Sequence, residues 1–150
     1  DQELRKITKS KLNFSFTPHL TPMFRGILST IYVDLKPNFS ISKIKKILKE
    51  FHKKNKFVKI LKNDSMISTN DVINTNNCLI SICKTKNLNK VIILSAIDNL
   101  IKGGSGQAIQ NMNILFKFPE TSLDEDKLDP YFFVHLIDSF ANCLSEDKPK

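Results

Sequence analysis

Gly26-Ile27-Leu28-Ser29-Thr30-Ile31-Tyr32-Val33-Asp34-Leu35-Lys36-Pro37-Asn38-Phe39-Ser40-Ile41-Ser42-Lys43-Ile44-Lys45-Lys46-Ile47-Leu48-Lys49-Glu50-Phe51 changes its hydrophobic period within a few residues. In residues 26–35 the apolar positions Ile27, Ile31, Val33 and Leu35 and the frequent β-branched side chains read as a strand. Lys36-Pro37-Asn38 closes it, because proline cannot continue a ladder and asparagine favours a turn. Ser40 then stands where a helix N-cap is needed, and Ile41, Ile44, Ile47, Leu48 and Phe51 recur at the helical period while lysines fill the opposite face. A helix over residues 40–54 with one apolar face should lie on a sheet.

The flanking sequence supplies that sheet. Leu12-Asn13-Phe14-Ser15-Phe16 alternates apolar and polar residues and predicts a strand, which Thr17-Pro18-His19 breaks into a turn that also carries Pro22 and Arg25. Residues 57–61 read as a short strand. Residues 63–77, rich in Asn, Ser and Thr, read as a surface loop. Residues 79–83 and 91–97 read as two strands joined by Lys84-Thr85-Lys86-Asn87-Leu88-Asn89-Lys90. Beyond them, Ala108, Ile109, Met112 and Phe116 keep helical spacing, with Gln107 and Asn111 one turn apart on another face. Asp129-Pro130 suits the start of a last helix. This order predicts an α+β fold with a mixed, largely antiparallel sheet and packed helices.

Composition bounds the rest. A chain of 150 residues with 41% apolar content suits one globular domain with a real core and is too short for a two-domain dehydrogenase. No run of about 18 apolar residues predicts a membrane span, and the opening Asp1-Gln2-Glu3-Leu4-Arg5 lacks the basic-then-apolar pattern of a secretory signal, so a cytoplasmic protein is expected. The net charge of +8 is uneven, since residues 120–150 hold eight acidic residues against three lysines. Arg5 and Arg25 are the only arginines among 23 basic residues, and no aromatic interleaving marks a stacking platform, which argues against nucleic acid. Cys78, Cys83 and Cys143 are scattered without a C-x-x-C, so neither a metal site nor a disulfide framework is expected. Cys78, between Asn77 and Leu79, reads better as a strand cysteine than as a nucleophile.

Three of the four glycines fall in Ile97-Asp98-Asn99-Leu100-Ile101-Lys102-Gly103-Gly104-Ser105-Gly106-Gln107. Two readings stand side by side: a turn that binds a polar ligand near a helix N-terminus, or an ordinary strand-to-helix loop that needs close packing. The spacing matches neither of the common phosphate-binding glycine motifs.

The longer phrase Asp98-Asn99-Leu100-Ile101-Lys102-Gly103-Gly104-Ser105-Gly106-Gln107-Ala108-Ile109-Gln110-Asn111-Met112-Asn113, with Phe118-Pro119-Glu120-Thr121 after it, closely resembles the C-terminal signature of the N-acetyl-gamma-glutamyl-phosphate reductases. Phe16-Thr17-Pro18-His19-Leu20-Thr21-Pro22-Met23-Phe24-Arg25-Gly26-Ile27-Leu28-Ser29-Thr30 resembles the same family's strand pair opening its second domain, and Thr75-Asn76-Asn77-Cys78 is a weaker third match. The family's dinucleotide loop, Asn-Pro-Gly-Cys thiol phrase and His-Arg-His phrase do not occur. The chain therefore looks like the C-terminal part of such a reductase, which leaves an organellar targeting segment open. The related aspartate-semialdehyde dehydrogenases would carry a Gly-His pair where this chain has Gly26-Ile27, which disfavours them.

The resemblance implies a fold like the second, substrate and dimerisation, domain of semialdehyde and glyceraldehyde-phosphate dehydrogenases. Residues 1–119 would form it, residues 98–117 would return to a missing NADP-binding Rossmann domain, and residues 120–150 would be an acidic extension with a helix. The implied activity is NADP-dependent conversion of N-acetyl-glutamyl 5-phosphate to N-acetyl-glutamate 5-semialdehyde in arginine biosynthesis, through a thioacyl intermediate. No catalytic residue lies in this chain on that view. Asn99, with Lys102, Gly103, Gly104 and Ser105, would face the NADP cofactor, and Arg25 and His19 would face the substrate, or else simply hold their turn. A homo-oligomer is expected. A non-catalytic binding module or a relict domain is the alternative.

Overall fold

A computed structural model describes residues 6–8 and 13–122. Four strands and two main helices follow one another as β1 (Ile27–Asp34), α1 (Ile41–Phe51), β2 (Val58–Ile60), β3 (Cys78–Lys84), β4 (Lys90–Ile97) and α2 (Gly106–Leu115), with a 3-10 turn at Thr69–Asp71 and a π-type turn at Ile101–Ser105. The strands form one sheet in the order β1-β4-β3-β2. β1 pairs antiparallel with β4 from Ile27 opposite Ile97 to Asp34 opposite Lys90, β4 pairs antiparallel with β3, and β2 runs parallel to β3. The expected α+β domain with a mixed, mainly antiparallel sheet is therefore present.

The helix α1 begins where the sequence places it. Ser40 has extended backbone angles and its hydroxyl accepts the Lys43 amide at 3.2 Å, which satisfies one of the helix's free first-turn donors. Lys49 in the last turn lies at the negative end of the helix dipole. The helix packs on β2 and β3. Ile41, Ile44 and Leu48 are half-buried there, whereas Ile47 and Phe51 stay exposed, so only part of the apolar stripe finds the sheet.

Two expectations fail. Residues 13–20 form no strand: they are irregular and exposed, with Phe16 at 76% and Leu20 at 105% relative exposure. Alternation prepares one strand face, but a strand also needs a partner edge, and none of the described strands pairs with this stretch. The 63–77 segment, in turn, is not a surface loop throughout. Ile67 and Val72 are buried and form the centre of the core with Ala96, against which Leu61, Leu79 and Leu94 pack. Because β2 and β3 are parallel, the chain must cross over one sheet face to join them, and its few apolar residues line that crossing. Its polar residues serve the local turns: Asp71 accepts the Ser68 amide at 2.7 Å and Thr75 bonds the Val72 carbonyl. The helix expected after Asp129 lies outside the described residues.

Candidate functional site

β4 ends at Ile97, and the next residue, Asp98, has a side chain with no exposed surface. A buried carboxylate is costly unless its oxygens are fully engaged, and here they are. Oδ1 accepts the amides of Leu100 at 2.8 Å and Ile101 at 3.0 Å, and Oδ2 accepts the amide of Asn74 at 2.8 Å. Both oxygens face the Arg25 Nε, at 3.0 and 2.8 Å. Burial would raise the Asp98 carboxyl, but the Ile101 and Asn74 amides, the Arg25 guanidinium and the Leu100 amide together outweigh it and hold it below the ordinary carboxylate range.

Part of the glycine phrase serves this junction. The first free amides of the π-type turn point at an anion, and the anion is the chain's own Asp98. The Gly103 amide bonds the Asp98 carbonyl, the Ser105 amide bonds the Leu100 carbonyl, and the Gly106 amide bonds the Ile101 carbonyl. The turn runs directly into α2. Within this phrase close packing is required only at Gly106, where an added Cβ would lie 2.6 Å from Ile101 Cγ2 and 2.7 Å from Asn76 Oδ1. At Gly103 and Gly104 the nearest atoms to such a Cβ are 3.6 Å away, and both residues are exposed. The domain's own packing does not require them to be small.

Arg25, just before β1, is the other half of the junction. Its side chain is 9% exposed. Besides the Asp98 contact, its Nη1 donates to Asn74 Oδ1 at 3.0 Å, while Nη2 is buried and has no hydrogen-bond partner among the described residues. The next residue, Gly26, donates its amide to Asn99 Oδ1 at 2.7 Å. Two consecutive residues entering β1 are thus tied to two consecutive residues leaving β4. Because an amide N–H must meet the oxygen of the Asn99 carboxamide, its orientation is fixed, and Asn99 Nδ2 remains a donor with no partner among the described residues.

The other candidate residues are placed differently. Lys102 Nζ bonds Gln110 Oε1 at 2.5 Å and sits over the Phe57 ring at 5.2 Å, and Gln110 passes the contact on to Glu120. Ser105 Oγ donates to the Leu100 carbonyl. His19 stands in the exposed irregular segment and makes no hydrogen bond or ion pair among the described residues. Gln107 and Asn111 bond each other at 3.0 Å on the surface of α2. Cys78 is a half-buried residue of β3 beside Ser95. Sequence reasoning placed Arg25 and Asn99 in the site but missed Asp98 as the group joining them, together with Asn74. The available signal was an aspartate ending a strand two and three residues before amides that open a helical turn. The buried amides Asn76 and Asn113 were also missed. Among the described residues there is no group of three or more His, Cys, Asp or Glu that could hold a metal ion, and no helix long and apolar enough to cross a membrane.

Residues 1–99 match the family described as semialdehyde dehydrogenase, dimerisation domain. The chain is 48% identical over 125 residues to the N-acetyl-gamma-glutamyl-phosphate reductase of Thermoanaerobacter pseudethanolicus, covering 83% of this chain and 36% of that protein. It is 45% identical over 125 residues to the enzyme of that name from Desulforamulus reducens, with the same coverage. It is 48% identical over 119 residues to that of Vesicomyosocius okutanii, covering 79% of this chain and 34% of that protein. The chain thus spans about a third of the length of these relatives. With its mixed sheet and the Arg25 to Asp98 junction in place, the chain belongs to the semialdehyde dehydrogenase dimerisation-domain family.

Proposed function

We propose that this chain is the substrate and dimerisation part of an N-acetyl-gamma-glutamyl-phosphate reductase, which converts N-acetyl-glutamyl 5-phosphate to N-acetyl-glutamate 5-semialdehyde with NADPH. The observation that carries the reading is the junction itself, which leaves one guanidinium donor on Arg25 and one carboxamide donor on Asn99 without a partner among the described residues. A buried donor left unmet costs about 1–3 kcal/mol, so a group from outside the described residues that accepts from Arg25 Nη2 relieves that cost. A carboxylate or acyl-phosphate oxygen of the substrate does so with a charge-assisted bond once the groups that cover Nη2 move aside.

The cofactor's contribution is the hydride. Asn99 fits a nicotinamide carboxamide, because its oxygen is occupied by Gly26 and its Nδ2 can donate to the ligand's carbonyl. Gly103 and Gly104, exposed and unconstrained within this domain, allow the backbone to approach a dinucleotide or its domain closely. Lys102 is held by Gln110 and Phe57, so its charge acts from a fixed position beside that turn. Residues 98–117 form the segment that returns to the dinucleotide domain, and His19 lies on the substrate side. The thiol and the proton-handling histidine come from the remainder of the enzyme, so this domain orients ligands and makes subunit contacts.

A full-length reductase carrying this domain is expected to oxidise NADPH in the presence of N-acetyl-glutamyl 5-phosphate. The purified 150-residue chain is expected to show no such rate above a boiled control. Activity of the isolated chain, or an inert full-length enzyme with a normal melting transition, would overturn the reading.

A further inference from the structure

We infer that residues 123–129, the acidic start of the segment after the described residues, dock on the exposed flank of α1, so that the chain covers its own basic and apolar surface. The inference goes beyond the reductase reading and does not depend on it. Phe39 stands before the Ser40 cap, and Lys43, Ile47 and Phe51 follow it at intervals of four, which puts them in one row along the helix. The sheet does not cover this row. Phe39, Ile47 and Phe51 are 41, 50 and 78% exposed, while Ile41, Ile44 and Leu48 take the sheet face. Lys43 lies over the Phe39 ring at 4.5 Å, and the His52 ring meets Phe51 edge-on. Residues 43–56 hold seven lysines against one glutamate, and Lys46, Lys49 and Lys54 are exposed with no ion pair among the described residues.

Charge and position single out this occupant. Leu123-Asp124-Glu125-Asp126-Lys127-Leu128-Asp129 sets four carboxylates and two leucines beside a single lysine, the complement of a flank that mixes lysines with apolar side chains. The described chain also leads to the right place. Glu120 accepts from Gln110 Nε2, Gln110 Oε1 accepts from Lys102 Nζ, and Lys102 lies over the ring of Phe57, which stands between the end of α1 and the start of β2. Seven residues can extend about 23–25 Å, whereas the eleven residues of α1 rise only about 16 Å, so the segment can follow the whole flank. One exposed ion pair contributes little, but several on a single tethered segment act together, because the tether keeps their effective concentration high.

The test uses the whole 150-residue chain. Its exposed lysines are acetylated with a limiting amine-reactive ester, and the rate at each is read by peptide mass spectrometry. In the combined variant Asp124→Asn, Glu125→Gln, Asp126→Asn and Asp129→Asn, the rates at Lys43, Lys46 and Lys54 are expected to rise about threefold or more, because an amine without a facing carboxylate loses its proton more readily. Lys90, paired with Asp34 on the outer strand β1, is expected to keep its native rate.

Zero-length carbodiimide coupling, on a mixture of unlabelled and heavy-nitrogen-labelled chains, identifies the occupant directly. Links from Asp124, Glu125, Asp126 or Asp129 to Lys43, Lys46 or Lys54 are expected within one chain. Ile47→Ser combined with Phe51→Ser falls on exposed side chains, so it should leave the fold intact and reduce the yield of these links by about half or more. Should the neutralised variant lose its melting transition, the coupling yields decide alone. Native rates at all three lysines in a folded neutralised variant overturn the inference, and so does the absence of links within one chain. Links that join only labelled to unlabelled chains overturn it as well, and assign the flank to a second copy.

Discussion

At the scale of single residues, the junction places its largest electrostatic demand on Asp98. Removing one partner of a buried pair strands the other, at a cost of about 3–5 kcal/mol, whereas the pair itself contributes less. The direction of the carboxyl's shift fixes a pH dependence. Its folded value is held below the unfolded one by the surrounding amides and Arg25, so its contribution is fully present above about pH 4 and is lost as the pH falls through the folded value. Thermal melting of the chain between about pH 5 and pH 2.5 should therefore fall more steeply in the native sequence than in Asp98→Asn. Parallel curves would mean that other carboxylates govern acid unfolding. Gly26 gives a second prediction. Its φ of +103° disfavours any side chain, and an added Cβ would meet Thr69 Cβ at 2.6 Å. Gly26→Ala should destabilise the chain by at least about 1–3 kcal/mol in urea titration. Arg25 drew notice in the sequence as the one arginine beyond the first few residues, and Asn99 through the family resemblance; the structure brings both to the junction. Asp98 drew none, because its role depends on a partner 73 residues away and on amides that no composition reveals.

At the scale of elements, periodicity served where an element's environment is uniform along its length. α1 half-buries Ile41, Ile44 and Leu48 at the helical period, and the expected ranges of β1, α1, β3 and β4 agree with the observed ones within a few residues, although β1 half-buries only Ser29 and Val33. It failed where a segment's role is set by topology. The 12–16 alternation has no strand to pair with in the described residues, and the polar 63–77 segment is drawn across the sheet by the parallel β2 to β3 connection. Burial of Val72 at 0% exposure measures that difference. If the segment were a solvated loop, Val72→Ala would change stability by a few tenths of a kcal/mol at most, whereas loss of a wholly buried side chain should cost about 1–3 kcal/mol. Chemical denaturation with a constant slope between variants distinguishes the two.

At the scale of the molecule, large apolar side chains are exposed on both helices and in several turns as well as along one edge of the sheet. β1 is an edge strand among the described residues, and Ile27, Leu28, Ile31 and Tyr32 are each more than two-fifths exposed. The irregular segment before it adds Phe16 and Phe24, at 76% and 96% exposure. Contiguous apolar surface beside an open strand edge favours association, and lone charges on an edge oppose it. α1 does not relieve this end of the sheet, since it packs on β2 and β3. The family is described as a dimerisation domain, so association of copies is the expected use of such a surface. Tyr32 is 75% exposed and directly opposite Ile92 on β4, so replacing it disturbs no buried packing of its own. Tyr32→Lys should therefore leave the melting transition of the dilute chain nearly unchanged, within about 0.5 kcal/mol, because surface substitutions outside special features cost little. It should at the same time shift sedimentation velocity boundaries towards the monomer at concentrations where the native chain associates. If association persists unchanged in Tyr32→Lys and in Leu28→Lys, the interface lies elsewhere and this strand edge plays no part in it.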